Sequence, residues 1–256
     1  MKNLRLVPAA LPLRFELIEW IRFAALAAHR DDESGKQEKR KIKKLSHTTR
    51  LVIATRNAHK AREFAQLFGN NFEIVDLNSF PQIETIEEMG PSFEENAIRK
   101  AVHVSQKIVD PVVADDSGLE VDVLDGAPGI FSARYAGENA TDKENLHKLL
   151  RELAQRNIPL DQRTARFRCA LVLAKNGVVL HESEGSIEGT IAKQAKGLAG
   201  FGYDPIFVPN GFDRTFAELS PKVKNRISHR ARAVLAMREV LLAKRLAGTN
   251  DAAGAG

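Results

Sequence analysis

The chain is 256 residues long, with 38 Lys/Arg against 33 Asp/Glu and a single cysteine, Cys169. One cysteine excludes an intramolecular disulfide, argues against a cysteine-based zinc site and fits a reducing, cytoplasmic setting; no apolar run is long enough to cross a bilayer. Residues 1–48 hold 11 Lys/Arg and 6 Asp/Glu while the remainder holds 27 of each, so the main body lacks the basic surplus of a nonspecific nucleic-acid binder.

Residues 31–44, DDESGKQEKRKIKK, have almost nothing to bury and read as a linker or disordered tail. The segment ahead of them has helical character, but Arg14, Glu16, Glu19 and Arg22 break its apolar run and make it a poor secretory signal. The expected organisation is a dispensable extension over 1–48, one catalytic domain over 49–248 and a flexible tail over 249–256.

From Arg50 onward the pattern is that of an α/β protein. LVIAT (51–55) reads as a buried strand, Lys60 to Phe68 as a helix and FEIVDL (72–77) as a second strand. Ser92-Phe93-Glu94-Glu95 has capping-box spacing and opens a helix with Phe93, Ala97, Ala101, Val104 and Ile108 on one stripe. VVAD (112–115) is a third strand, followed by what reads as a long loop, GLEVDVLDGAPGIFSARYAG. Thr141-Asp142-Lys143-Glu144 caps a helix reaching about Arg156. Residues 166–175 and 178–191 flank Asn176-Gly177, a dipeptide suited to a type I′ hairpin turn. A last long helix is expected from about Ser228 to Leu246. This order predicts a mixed sheet flanked by helices in two lobes, with a ligand cleft between them.

Five constellations carry chemistry. Thr55-Arg56-Asn57-Ala58-His59-Lys60 lies where a strand opens a helix, and free amides, the helix dipole and Lys60 favour an anion there. It lacks the glycines and the GK[ST] ending of a Walker loop. Asp115-Asp116-Ser117-Gly118 sets two carboxylates at a strand end, a donor set for a hard cation such as Mg2+. Glu84, Glu87 and Glu88 offer a further carboxylate to pair with Asp116. In Gly197-Leu198-Ala199-Gly200-Phe201-Gly202-Tyr203-Asp204-Pro205, glycines let the backbone approach a planar ligand, with Phe201 as a stacking face and Asp204 as an acceptor. Lys222-Val223-Lys224-Asn225-Arg226-Ile227-Ser228-His229-Arg230 crowds cations at a helix start, where they disfavour the helix. An acceptor-rich ligand would explain them, and a 6-oxo purine presents O6 and N7 together.

TRNAHK, EEMGPSFEENAIRKA, ADDSGLEVDVLDGAPGIFSARYAG, GFGYDPIF and KNRISHRARA stand in the order and at roughly the spacing of the inosine triphosphate pyrophosphatase family, also called XTP/dITP diphosphatases. The chain resembles that family over about residues 50–246. The resemblance implies a two-lobed α/β fold with an elongated mixed sheet, homodimers, and hydrolysis of deaminated purine nucleoside triphosphates to monophosphate and pyrophosphate. It implies that Thr55 to Lys60 bind the triphosphate, that Glu87, with Glu88 as rival, and Asp116 hold Mg2+, and that Asp116 accepts the proton. It further implies that Ser117 contacts substrate, that Phe201, Gly202, Tyr203 and Asp204 line the base pocket, and that Lys224, Ser228, His229 and Arg230 read the purine edge. Three features depart from the family pattern: Arg56 stands where Gly or His is common, Met89 replaces a common Thr, and residues 1–48 have no counterpart. Two other readings stay open: a triphosphatase acting on modified pyrimidine or general nucleotides, and a nucleotide- or RNA-binding regulator using the basic arm.

Overall fold

The computed structural model describes residues 49–84 and 86–251. The expected extension over 1–48 and the end of the tail lie outside the described residues. Among the described residues no helix is long and apolar enough to cross a membrane.

Six strands form one mixed sheet in the order β2-β1-β3-β4-β5-β6. These are β1 (Thr49–Ile53), β2 (Phe72–Asp76), β3 (Val112–Val121), β4 (Thr164–Lys175), β5 (Val178–Ile191) and β6 (Phe207–Pro209). β1 pairs in parallel with both β2 and β3, and the remaining pairs are antiparallel. Parallel neighbours require crossovers. They are supplied by α1 (Ala58–Phe68) between β1 and β2 and by α2 (Phe93–Ser105) between β2 and β3. Three more helices follow: α3 (Asp142–Gln155), α4 (Pro221–Ile227) and α5 (His229–Asp251).

The predicted stripe of α2 is the one that packs. Phe93, Ala97, Ala101, Val104 and Ile108 share a core with Val112, Ala114 and Val172 on one sheet face. On the other face Phe64 and Phe68 of α1 and Ala233, Val234 and Met237 of α5 meet Leu51, Ile53, Val113 and Leu171. A third core joins the far ends of β3 and β4 to α3 and β6 through Leu119, Leu146, Leu149, Phe167 and Phe207. β3 therefore runs from one pair of cores into another, and Asp115, Asp116 and Ser117 interrupt its apolar sequence at the junction.

Local signals hold at the turns and caps. Asn176 and Gly177 take φ of 52° and 77° between β4 and β5. Thr141 and Glu144 complete a reciprocal capping box, and the Ser92 hydroxyl accepts from the Glu95 amide. Three expectations change. Gly118 to Val121 continue β3 rather than opening a loop. A Cβ at Gly118 would lie 2.4 Å from the Gly129 carbonyl oxygen and 2.5 Å from Ser132 Oγ, so this glycine serves strand-to-backbone packing. The cationic run from Lys222 forms a separate short helix, α4, because Ser228 is extended (φ −65°, ψ 160°) and divides it from α5. The short edge strand β6 also went unforeseen, because three residues are too few to show a period.

Candidate active site

A cleft lined by Lys60, Glu88, Asp116, Phe201, His229 and Arg230 borders two of the three cores, one through Ile130 and the other through Phe167 and Tyr203. These residues come from α1, the loop before α2, β3, the loop before β6, and α5.

Adjacent carboxylates on β3 face different partners, as strand alternation dictates. Asp115 accepts from Lys60 Nζ at 2.9 Å and from Ser117 Oγ at 3.0 Å, with Arg230 Nε 3.7 Å away. Burial would raise its pKa, but the charges of Lys60, Arg230 and Lys100 outweigh this and hold it well below the usual carboxylate range. Asp116 accepts from Asn96 Nδ2 at 2.9 Å and from the Ser117 amide at 2.9 Å. Burial, with the charge of Glu88 added, pushes its carboxyl up to about 6 against the pull of Lys100 and Lys60.

Glu88, not the expected Glu87, is the loop carboxylate in the cleft. Glu87 is exposed, whereas Glu88 is half-buried, pairs with Lys100 and lines the cleft wall. Arg134 fixes the loop by donating to the Glu88 carbonyl at 2.7 Å. Lys100 also donates to the Asp115 carbonyl at 2.5 Å. Glu88 and Asp116 thus present oxygen donors to one cleft, and each raises the cost of ionising the other. Among the described residues no group of three or more His, Cys, Asp or Glu could hold a metal ion. Two carboxylates fit a cation that takes its other ligands from phosphate and water.

The opposite end of the cleft is a chain of buried charges. Lys224 Nζ lies 2.7 Å from Asp204 Oδ2 and 2.8 Å from Glu63 Oε1, and Arg230 Nη1 lies 2.8 Å from Glu63 Oε2. Arg230 Nη2 then donates to Ser117 Oγ at 2.8 Å, which joins this chain to Asp115. Asp204 also accepts from the Phe201 amide at 2.9 Å. A Cβ at Gly200, whose φ is +77°, would lie 2.0 Å from that carboxylate, so the turn requires glycine. The Phe201 ring is flanked by Lys224 Nζ at 5.0 Å and the Arg230 guanidinium at 5.1 Å, with His59 5.6 Å away. His229 stacks on Phe167 at 4.8 Å and 12°. Burial and the charges of Arg230 and Lys224 push its pKa well below the ordinary value, so the ring is neutral. Its Nδ1 is buried without a hydrogen-bond partner among the described residues.

Not every expected residue reaches the cleft. Asn57 lines it but also caps α1, accepting from the His59 and Lys60 amides, and the Thr55 hydroxyl accepts from the Asn57 amide. Ala58 and His59 are exposed. Arg56 spends its guanidinium on the Leu77 and Ile83 carbonyls at 2.8 and 2.6 Å. Together with Thr55 it lines a neighbouring pocket that shares Lys60 and Glu88 with the cleft. The Ser228 hydroxyl is fully buried and accepts from the Ala231 amide, so it caps α5 instead of facing a ligand. The Tyr203 hydroxyl donates to the Ser132 carbonyl at 2.9 Å, while its ring lines the cleft.

Glu63, Asn96 and Lys100 were missed in the sequence. Helical spacing is the signal that could have found them: Glu63 lies three residues after Lys60, and Lys100 four after Asn96, so each pair shares a face.

The sequence model of the Ham1 family matches residues 51–240. A dITP/XTP pyrophosphatase of Geobacillus kaustophilus is 49% identical over 190 residues, spanning 74% of this chain and 92% of that protein. The dITP/XTP pyrophosphatase of Geobacter sulfurreducens is 45% identical, over 75% and 96% of the two chains. Among solved structures, a HAM1 protein from Coxiella burnetii superposes with a TM-score of 0.68 at 40% identity, covering 76% of this chain and 98% of its own. The Ham1 protein of Staphylococcus aureus gives a TM-score of 0.67 at 38% identity, over 77% and 100%. With 49% of 190 aligned residues identical to a relative across 92% of that relative's length, and with its cleft built from the matched segment, this chain belongs to the Ham1 family.

Proposed function

We propose that the protein is a nucleoside triphosphate pyrophosphatase that hydrolyses deaminated purine nucleotides, ITP or dITP and XTP, to monophosphate and pyrophosphate. The observation that carries this reading is the convergence of Lys60, Asp116 and Arg230 on one cleft from α1, β3 and α5. The names of its relatives supply the substrate class. Such an activity removes these nucleotides before they enter DNA or RNA.

In this reading the base stacks on Phe201 beside Tyr203 and Asp204, with Gly202 giving its backbone room. His229, Arg230 and Lys224 read the oxygenated purine edge. The orphaned Nδ1 of His229 supports this, because a neutral imidazole can donate there to a 6-oxo group. Adenine would place an amino donor against the same donors. Ser117 contacts the substrate near the phosphate, and Lys60, with Thr55, Asn57 and the start of α1, receives the triphosphate.

Glu88 and Asp116 would hold Mg2+, whose charge offsets that of the polyphosphate and of the departing pyrophosphate. Asp116 orients a water for in-line attack on the α-phosphorus and takes its proton. The new P–O bond forms as the bond to the bridging oxygen of the pyrophosphate breaks. Without a cation the Asp116 carboxyl lies near 6, and the charge of a bound Mg2+ would lower it, so positioning of the water carries more of the step than proton transfer. Lys60 and Lys100 balance the charge building on the leaving group.

Pyrophosphate release from inosine, xanthosine, guanosine and adenosine triphosphates tests the function. Fast release from the first two and slow release from adenosine triphosphate is expected; equal rates on all four would refute the edge reading. Orthophosphate as product would favour the general triphosphatase. Residues 49–248 are the catalytic domain in this proposal, so removing 1–48 should leave turnover intact, whereas a regulator using the basic arm would lose its binding. A homodimer in the cytoplasm completes the reading.

A further inference from the structure

The cleft has a wall that neither the base chemistry nor the phosphate chemistry uses. Ser132, Asn145 and Asp142 supply its polar side chains. Two of them are engaged in holding the backbone. Ser132 Oγ donates to the Gly129 carbonyl at 2.6 Å and accepts from the Leu119 amide at 2.9 Å. Asn145 donates to the Ala133 carbonyl at 3.0 Å and accepts from the Ala136 amide at 2.7 Å. Asp142, at the first turn of α3, differs. Its Oδ2 accepts from the Gly202 amide at 2.7 Å, and Oδ1 has no protein partner among the described residues.

That hydrogen bond fixes the carboxylate one residue from Phe201, the stacking face. A nucleotide orders its parts as base, sugar and α-phosphate, and the phosphate end of the cleft is marked by Lys60 and Asp116. A carboxylate anchored beside the base loop but outside the phosphate end is therefore placed for the sugar. An ionised carboxylate is acceptor-only, so it suits a hydroxyl and opposes a phosphate. The names of the relatives narrow the choice of hydroxyl. They pair a deoxyribose substrate, dITP, with a ribose one, XTP, and the 3′-hydroxyl is the one both sugars share.

We infer that the Asp142 carboxylate, held by the Gly202 amide, accepts a hydrogen bond from the 3′-hydroxyl of the substrate sugar, an assignment that rests on the function proposed above. Asp142 thereby makes the enzyme tolerant of the 2′ position while demanding an intact 3′ position.

The test compares dITP with 2′,3′-dideoxyinosine triphosphate on wild-type protein and Asp142→Ala, by pyrophosphate release. A hydrogen bond to a charged group corresponds to roughly a tenfold effect or more. Wild-type kcat/KM should fall by about that factor from dITP to the dideoxy substrate. Asp142→Ala should lose a similar factor on dITP and stay near wild type on the dideoxy substrate. Equal losses on both would reduce Asp142 to a latch for the Gly202 loop and overturn the contact, as would a wild-type enzyme indifferent to the 3′-hydroxyl. Wild-type protein that releases no pyrophosphate from dITP would instead overturn the function itself, and this contact with it.

Discussion

Asp115 and Asp116 are consecutive on β3, yet Lys60 lies 2.9 Å from the first, while the second has no ion-pair partner within 4.0 Å among the described residues. The pair divides its labour along that line. Asp115 is a structural anion that holds Lys60 and Arg230. Asp116 is left with a neutral amide, a backbone amide and a nearby carboxylate, so its charge stays unpaired within the cleft.

Substitution should separate the two roles. Asp116→Asn removes a poorly compensated charge, so the fold should hold while kcat drops by about 100-fold or more, the range of a lost general base. Asp115→Asn breaks a buried pair from one side and should cost about 3–5 kcal/mol of stability. Urea denaturation beside steady-state assays distinguishes them. Near-normal turnover of Asp116→Asn on inosine triphosphate would remove its assigned role.

The two loop glutamates offer a second contrast. Glu88→Gln should raise the Mg2+ concentration needed for half-maximal activity by tenfold or more, because it takes away one of the two carboxylates proposed to hold the cation. Glu87→Gln should leave the Mg2+ curve unchanged, since Glu87 is exposed. Chelation by EDTA should abolish activity of both variants and of the wild type, with recovery on adding Mg2+. A Glu87 variant with the larger shift would reverse the assignment made from the cleft geometry.

This contrast marks what could be read in advance. Asp116, Lys60, Phe201 and Arg230 stand in local patterns of unusual chemistry, and each reached the cleft. Glu87 and Glu88 are identical in type and adjacent, so only the direction of the loop, set in part by Arg134 from a distant segment, separates them. Gly118 looked like a loop residue because glycine weakens strands, yet it is there for the close approach of Gly129. Ser228 sits among cations and was read with them, but its hydroxyl belongs to the α5 cap. Side chains whose partners lie over a hundred residues away, such as Glu63 with Lys224 and Arg230, leave almost no local trace.

Glu63 gives the third prediction. Its carboxylate pairs with both Lys224 and Arg230, and those charges outweigh its burial and hold its pKa below the ordinary value. Glu63→Gln keeps the shape but leaves Lys224 and Arg230 to their other partners. KM for inosine triphosphate should rise more than kcat falls, by about tenfold, with discrimination against adenosine triphosphate weakened. A pure loss of kcat with KM unchanged would place Glu63 in the chemical step instead.

His229 sets the response to acid. Protonating the ring in the fold places a charge in a fully buried site that already holds Arg230, Lys224 and Lys60, with the charge of Asp115 opposing them and Phe167 stacked on one face. The folded pKa therefore lies well below the ordinary 6.5 of an unfolded histidine. Below that pH the unfolded chain binds a proton that the native state refuses. The contribution to stability is complete above pH 6.5 and declines as pH falls toward the folded pKa. One proton corresponds to about 1.4 kcal/mol per pH unit in that window. His229→Gln lacks this titration while all other groups remain. The wild-type advantage over the variant, measured by urea denaturation, should shrink by about 1–2 kcal/mol between pH 7 and pH 5. A constant gap across that range would mean the ring takes its proton as readily in the fold as in the unfolded chain, and a gap that widens toward pH 5 would mean the folded ring is already a cation, so that the donor assigned to the purine edge is not neutral.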